Sequence, residues 1–224
     1  MRLADIEEAV REAGFTARGA FHPRAEDAVP DLAPGRAVGT LLMVGNAGPN
    51  MWRAFTAVCD PERELLDDWS DRVLSALAAG YGAMALFPFS KPALPFQRWA
   101  QRAEACRTSP LGIVIHPEFG LWHAYRGALV FADLFDLPLT AEAPDLCAAC
   151  NDKPCLTTCP VAAFTPGSYD VAACTGQIDS PAGQDCIDLG CRARRACPVG
   201  RAFRYQPAQA RLHMTAFLRS WQSQ

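Results

Sequence analysis

Eight of the ten cysteines in this 224-residue chain lie between Cys147 and Cys197. The segment opens C-A-A-C-N-D-K-P-C-L-T-T-C-P, with thiols at Cys147, Cys150, Cys155 and Cys159, and continues through Cys174, Cys186, Cys191 and Cys197. A hydrocarbon core has no use for thiols at that density, so the segment must ligate or bridge something. The residues outside it decide between the two. Met1 is followed by Arg2, Asp5, Glu7 and Glu8, which excludes a secretory apolar region, and no apolar run approaches membrane-spanning length. The expected address is cytoplasmic, where thiols stay reduced, so metal ranks ahead of disulfides. A net charge of −3 gives no general reason to expect nucleic acid or a membrane as partner.

The opening run is two residues longer than the C-x2-C-x2-C-x3-C-P pattern that binds iron–sulfur clusters in bacterial ferredoxins. A cubane cluster takes four thiolates; one tight loop supplies three, and the cysteine before proline serves the other cluster. Applied here, Cys147, Cys150 and Cys155 group with Cys197, and Cys174, Cys186 and Cys191 group with Cys159. The expectation is two [4Fe-4S] clusters. Gaps of eleven, four and five residues make the second half irregular. Structural zinc competes, because four thiolates also suit it, but zinc ribbons present two short C-x2-C knuckles and this chain has one. Cys59 and Cys106 stand apart and read as buried structural thiols. Arg192, Arg194, Arg195, Arg201 and Arg204 read first as a solvated basic face, and second as charges that offset a cluster or dock an acidic redox partner.

The first 140 residues alternate strand and helix signals. Leu3, Ile6 and Val10 mark one helical face; Phe15, Ala17, Gly19 and Phe21 alternate as in a strand; T-L-L-M-V-G suits a strand buried on both faces. A helix is expected from Asp60-Pro61, with Leu66, Trp69, Val73 and Leu77 as its buried stripe and Gly80 as its stop. A-M-A-L-F, L-G-I-V-I-H and L-W-H-A-Y-R-G-A-L-V-F read as further strands. Strict alternation in the last places His123, Tyr125, Leu129 and Phe131 on one face. Met214, Phe217, Leu218 and Trp221 give the final helix a docking face. The fold class is therefore α/β (α+β), with a mixed or antiparallel sheet and flanking helices, followed by a loop-rich cysteine module. The expected domains are 1–143, 144–204 and a C-terminal helix over 205–224.

From Leu94 onward the chain resembles epoxyqueuosine reductases and, more distantly, reductive dehalogenases, through P-E-F-G-L-W (117–122), R-G-A-L-V-F (126–131), D-L-P-L (136–139), C-L-T-T-C-P (155–160), Y-D-V-A-A-C (169–174) and R-R-A-C-P-V-G (194–200). The segment I-H-P-E-F-G-L-W-H-A-Y-R-G also resembles the I-H-P-x-F-G-G-W word of CblC-type cobalamin-processing proteins. The resemblance implies a nitroreductase-like, CblC-type domain fused to a ferredoxin-like module with two clusters. It implies a corrinoid as cofactor, with FMN second, and His116, Trp122, Tyr125 and Arg126 as pocket residues. His-Pro at a strand end is otherwise a turn device, and the other three are otherwise core. The reductases carry an acidic residue just before the stretch matching Leu94; here that stretch is P-F-S-K-P-A, with Lys91, so epoxyqueuosine reduction does not carry over.

The expected function is an iron–sulfur redox protein. Its clusters pass electrons to a corrinoid or substrate in the α/β domain, as in a cobalamin-dependent reductase or a decyanase or dealkylase. The alternatives are a ferredoxin-type electron carrier and a cobalamin-binding protein. A redox protein is the expected partner, and nitroreductase-like domains commonly form homodimers.

Overall fold

The computed structural model describes residues 2–222. In chain order the elements are α1 (Leu3–Glu12), β1 (Thr16–Phe21), β2 (Thr40–Ala47), α2 (Asn50–Val58), α3 (Leu66–Gly80), β3 (Met84–Leu86), α4 (Phe96–Ala103), β4 (Arg107–Thr108), β5 (Val114–Ile115) and β6 (His123–Phe131). There follow α5 (Pro154–Thr157), β7 (Phe164–Thr165), β8 (Ser168–Tyr169), α6 (Val171–Ile178), α7 (Gln184–Leu189), α8 (Arg192–Ala196) and α9 (Pro207–Gln222). They fall into two compact units. One runs to Ala105 and returns for His123–Ala143; the other holds Cys106–Trp122 and the chain from Pro144 onward. Among the described residues no helix is long and apolar enough to cross a membrane.

The first unit is built on an antiparallel sheet of order β1-β2-β6-β3. All eight residues of β2 are buried, as an apolar run between two paired neighbours requires. The sheet is antiparallel throughout and carries helices on its flanks. Two bulges correct the simple alternation expected from the sequence. In β1 the register shifts between Ala17 and Ala20, so the buried residues are Arg18 and Phe21 rather than every second one. Gly19, at φ +73°, makes that bulge possible, and a Cβ there would lie 2.2 Å from the Ala103 carbonyl oxygen at the end of α4. In β6 the shift falls at Arg126. Its partners on β2 therefore put His123 and Tyr125 on the face of Ala128 and Val130, not with Leu129 and Phe131.

The helix expected from Asp60 begins only at Leu66. Asp60 instead organises one isolated turn, accepting from the Glu62 amide through its side chain and from Arg63 and Glu64 through its carbonyl. The buried face is Leu66, Trp69, Ser70, Leu74 and Ala78; Val73 and Leu77 lie at its edge. Trp69 stacks on Phe15 at 4.8 Å. Asp27, 2% exposed, receives Arg102 at 2.5 Å and, through its carbonyl, the Trp99 indole N–H at 2.8 Å, which ties α4 to the connection before β2.

In the second unit β4–β5 and β7–β8 are two-residue hairpin ladders, and most of the chain is short helix and turn. Its apolar cluster joins Leu111, Ile115, Leu121, Phe164, Ile178 and Ala193 with Cys174, Cys186 and Cys197. Met214, Phe217 and Leu218 of α9 pack against it, whereas Trp221 is 39% exposed and takes no part in that face.

Candidate metal centres

Two groups of four cysteines each ring a small cavity of the second unit. Cys147, Cys150, Cys155 and Cys197 surround one, with Ile115, Leu146, Pro154 and Val199 in its wall. Cys159, Cys174, Cys186 and Cys191 surround the other, with Phe164, Ile178 and Met214. Each holds roughly 300 Å³ of empty space including its open mouth (about 330 and 310 Å³ respectively). The first is called ring 1 below and the second ring 2. The four thiols that share each cavity are those the Cys-Pro swap groups together.

Local chemistry explains how the chain builds ring 1. Cys147 and Cys150 sit on a turn in which the Cys150 amide donates to the Cys147 carbonyl, and Asp145 caps its start through the Ala148 amide at 2.8 Å. Lys153, at φ +38°, turns the chain into α5, where Pro154 opens the helix and Cys155 follows. The wall comes from further off. The turn after β5 has Gly120 at φ +57°, and a Cβ there would lie 2.1 Å from the Val199 carbonyl oxygen. A Cβ on Gly200 would lie 2.2 Å from the Phe119 carbonyl oxygen. The glycines of P-E-F-G and of C-P-V-G thus let two backbones meet directly beside Cys197.

Ring 2 bridges its irregular gaps with helices. The Ala163 amide lies 3.5 Å from Cys159 Sγ. Asp170 caps α6 through the Ala173 amide at 2.9 Å, and Cys174 lies within that helix. Cys186 lies in α7 and Cys191 caps α8. Asp185 clamps α7 to α8, accepting from Arg192 at 2.8 Å and from Arg195 at 2.5 Å. The Arg192 hydrogen bonds, with Arg195 after them, hold its carboxyl at about 2, below the usual carboxylate range.

Burial pushes the thiols of Cys147, Cys155, Cys174 and Cys197 up, and neighbouring thiolates push in the same direction. Burial carries Cys191 to about 11 against the backbone amides of Arg194 and Ala193. Four thiolates so placed repel one another unless a cation replaces their protons, which is the condition a metal centre meets. A donor set of four thiolates is one that both structural zinc and an iron–sulfur cluster use. Zinc with Zn–S near 2.3 Å needs its sulfurs within about 4 Å of each other. Among the described residues no three His, Cys, Asp or Glu side chains converge closely enough to hold one ion.

The proposed pocket residues are divided. His116 and Trp122 belong to the second unit, Tyr125 and Arg126 to the first. His116 accepts at Nδ1 from the amides of Glu118 and Phe119, at 3.1 and 3.3 Å, and stacks on Phe119 at 4.3 Å. It organises the turn that walls ring 1. Trp122, 1% exposed, packs on Tyr205 at 5.5 Å, and the Arg194 guanidinium lies 4.6 Å from both rings. Tyr125 donates to Glu104, and Arg126 pairs with Asp67. Of the arginines after Cys191, Arg201 and Arg204 are exposed, while Arg192, Arg194 and Arg195 are half-buried and engaged. Arg192 and Arg195 hold Asp185, Arg194 donates to the Leu121 carbonyl at 2.8 Å, and Arg204 donates to the Arg195 carbonyl at 2.5 Å. Cys106 is buried, while Cys59 is partly exposed beside Arg72 and Glu64.

Sequence reasoning missed a buried polar cluster in the first unit. Arg18, 1% exposed, donates to Glu104 at 2.6 Å and to the Asn46 carbonyl at 3.2 Å, and lies 3.2 Å from His123 Nδ1. The available signal was an arginine inside an otherwise small and apolar strand, T-A-R-G-A-F.

No protein-family model and no curated protein matches the chain. Solved structures do. An epoxyqueuosine reductase from Streptococcus thermophilus aligns at 16% identity and TM-score 0.56, covering 91% of this chain and 67% of its own. The Bacillus subtilis enzyme aligns at 16% identity and TM-score 0.52, with 90% and 66% covered. The C. elegans B12-trafficking protein CblC aligns at 14% identity and TM-score 0.51, with 98% and 96% covered. The chain thus shares a fold with both groups and spans about two thirds of the reductases' length.

Proposed function

We propose that the chain is an iron–sulfur redox protein with a nitroreductase-like domain and a ferredoxin-like module. The module binds two [4Fe-4S] clusters, one on Cys147, Cys150, Cys155 and Cys197 and one on Cys159, Cys174, Cys186 and Cys191. The observation that carries the reading is the four-and-four division of eight thiols around two cavities, with an apolar wall behind each. When bound, the clusters supply one-electron storage for a corrinoid or organic substrate held by the α/β domain. The protein's part is to fix four sulfurs per site, to exclude water with Ile115, Leu146, Phe164 and Ile178, and to donate amide hydrogen bonds to the thiolates. Tyr125 and Arg126 on β6 remain the residues of the α/β domain proposed to meet the cofactor.

A second reading is a cobalamin-binding or cobalamin-processing protein. It is favoured by the CblC trafficking protein aligning over nearly the whole of both chains. Protein purified without oxygen and assayed for iron, sulfide, zinc, cobalt and flavin tests the first reading. Two clusters per chain are expected; zinc in their place would overturn it. Titration of that protein with cobalamin and with FMN then separates the readings. A spectral change with cobalamin at micromolar concentration supports a corrinoid partner, and silence with both ligands leaves an electron carrier.

A further inference from the structure

Ring 2 draws thiols from helices whose spacing in the chain does not fix them, and one carboxylate supplies a constraint. Cys186 lies inside α7 and Cys191 opens α8, across a turn at Gly190 with φ +86°. Asp185, the residue before Cys186, accepts from Arg192 Nε at 2.8 and 3.0 Å and from its Nη2 at 2.6 Å. The same carboxylate accepts from Arg195 Nη2 at 2.5 Å. Arg195 in turn donates from Nε to the Gly190 carbonyl at 3.0 Å, and its own carbonyl accepts from Arg204 at 2.5 Å. Its amide closes the first turn of α8 on the Cys191 carbonyl at 2.9 Å. The clamp therefore grips the chain one residue before Cys186 and one residue after Cys191. Isolated ion pairs at a surface contribute little, but bidentate arginine–carboxylate pairs within a network are the exception, and this pair is both. Ring 1 takes its spacing from other devices, the C-x2-C turn at Cys147 and Cys150 and the close approach of Gly120 to Val199.

We propose that Asp185 is the positioning residue of ring 2, holding Cys186 and Cys191 at the separation a cluster requires through Arg192 and Arg195. The inference rests on the two-cluster reading. A site keeps its group only while every ligand is aimed at it, and the groups behind the ligands supply that aim. Without the carboxylate, the Arg192 and Arg195 guanidinium groups stand side by side uncompensated, and no side chain of α7 ties it to α8 at this point. Cys186 and Cys191 then part, while ring 1 keeps its four thiols. The salt bridge thus stands where ring 1 has its C-x2-C turn.

The test measures iron and sulfide per chain, and amide hydrogen exchange, on full-length protein reconstituted without oxygen. Asp185→Ala should fall toward one cluster per chain, with exchange rising over 184–196 and unchanged over 145–157. Adding Cys186→Ala to it should remove no further iron, and adding Cys155→Ala should remove the rest. Asp185→Glu, which keeps the carboxylate on a longer arm, should recover the second cluster. Asp188→Ala is the control for α7 itself. It removes a carboxylate that accepts from Gln184 at 2.9 Å and pairs with Arg211 at 2.8 Å, and it should keep two clusters. The proposal is overturned if Asp185→Ala keeps two clusters or loses both, or if its remaining iron answers to Cys186→Ala rather than to Cys155→Ala. It is overturned equally if Asp185→Glu or Asp188→Ala loses as much iron as Asp185→Ala. Fewer than two clusters in the wild type overturns the underlying reading and this proposal with it; two clusters in wild type and Asp185→Ala alike overturn this proposal alone.

Discussion

In the sheet unit every residue of β2 is buried and hydrogen-bonded neighbours flank it on both sides, while each ladder of the cysteine unit is two residues long. The first can close its core with hydrocarbon: Leu41, Leu42, Met43, Val44, Leu129 and Val130 are fully buried. The second counts Cys174, Cys186 and Cys197 among its buried apolar residues and has short helices joined by turns around them. Short helices are marginal without tertiary support, and here that support converges on eight sulfurs. The difference teaches that the sheet unit is stabilised by burial, and that on the proposed reading the cysteine unit depends on what its thiols bind.

The comparison breaks most visibly if metal loss leaves both units unchanged. On the two-cluster reading, Cys155→Ala leaves ring 1 with three ligands, and stripping the metal with a chelator empties both rings. Amide hydrogen exchange on the full chain should rise sharply over α5–α8 in the stripped protein, because binding free energy at such sites is folding free energy. The amides of β2 and β6 should keep their protection. In Cys155→Ala the rise should centre on 145–157 and 197–200. Equal loss of protection in β2 would show that the two units do not differ in this way.

The converse change lies in the sheet unit. Arg18→Leu removes a cation that is 1% exposed and leaves the Glu104 carboxylate, 13% exposed, with the Tyr125 hydroxyl but without its guanidinium partner. Breaking one side of a buried ion pair costs about 3–5 kcal/mol. Denaturant unfolding followed through Trp52, Trp69 and Trp99 in the sheet unit should lose about that much, while iron and sulfide per chain stay at the wild-type value. A stability loss under about 1 kcal/mol would mean that solvent reaches the pair, and that the sheet unit is held by its hydrocarbon alone.

How much of this was legible in the sequence follows from the range over which each signal acts. The cysteine segment stood out because C-x2-C and Cys-Pro are local devices. The buried strand T-L-L-M-V-G was readable because a central strand needs no alternation. The faces of β1 and β6 were not, since a single extra residue at Arg18–Gly19 and at Arg126 inverts the pattern beyond it and no residue type announces a bulge. The start of α3 was misplaced because Asp60-Pro61 is as good an opening for one turn as for a helix. The segment I-H-P-E-F-G-L-W read as a pocket word; the structure uses Ile115 as the wall of ring 1 and His116 as the brace of the turn behind it. Contacts such as Gly120 with Val199 span some eighty residues and have no local signature.

That contact also gives the narrowest way to sharpen the comparison, because it should separate the two rings from each other. At φ +57° an alanine in place of Gly120 pays about 1–2 kcal/mol for a left-handed backbone, and its Cβ would sit 2.1 Å from the Val199 carbonyl oxygen. Something must move, and both partners are backbone. The shift falls on the segment that follows Cys197, so ring 1 loses the alignment of one sulfur while ring 2, built on α6–α8, keeps all four. Gly120→Ala should therefore lower iron and sulfide toward one cluster per chain and leave β2 and β6 protected from exchange. Gly112→Ala is the control: its φ is +76° and a Cβ there meets nothing within 4 Å, so it carries the same kind of backbone strain in the preceding β4–β5 hairpin without the clash. Iron lost equally from both variants would assign the effect to hairpin strain; iron lost from Gly120→Ala alone assigns it to the close approach of two backbones at the wall of ring 1.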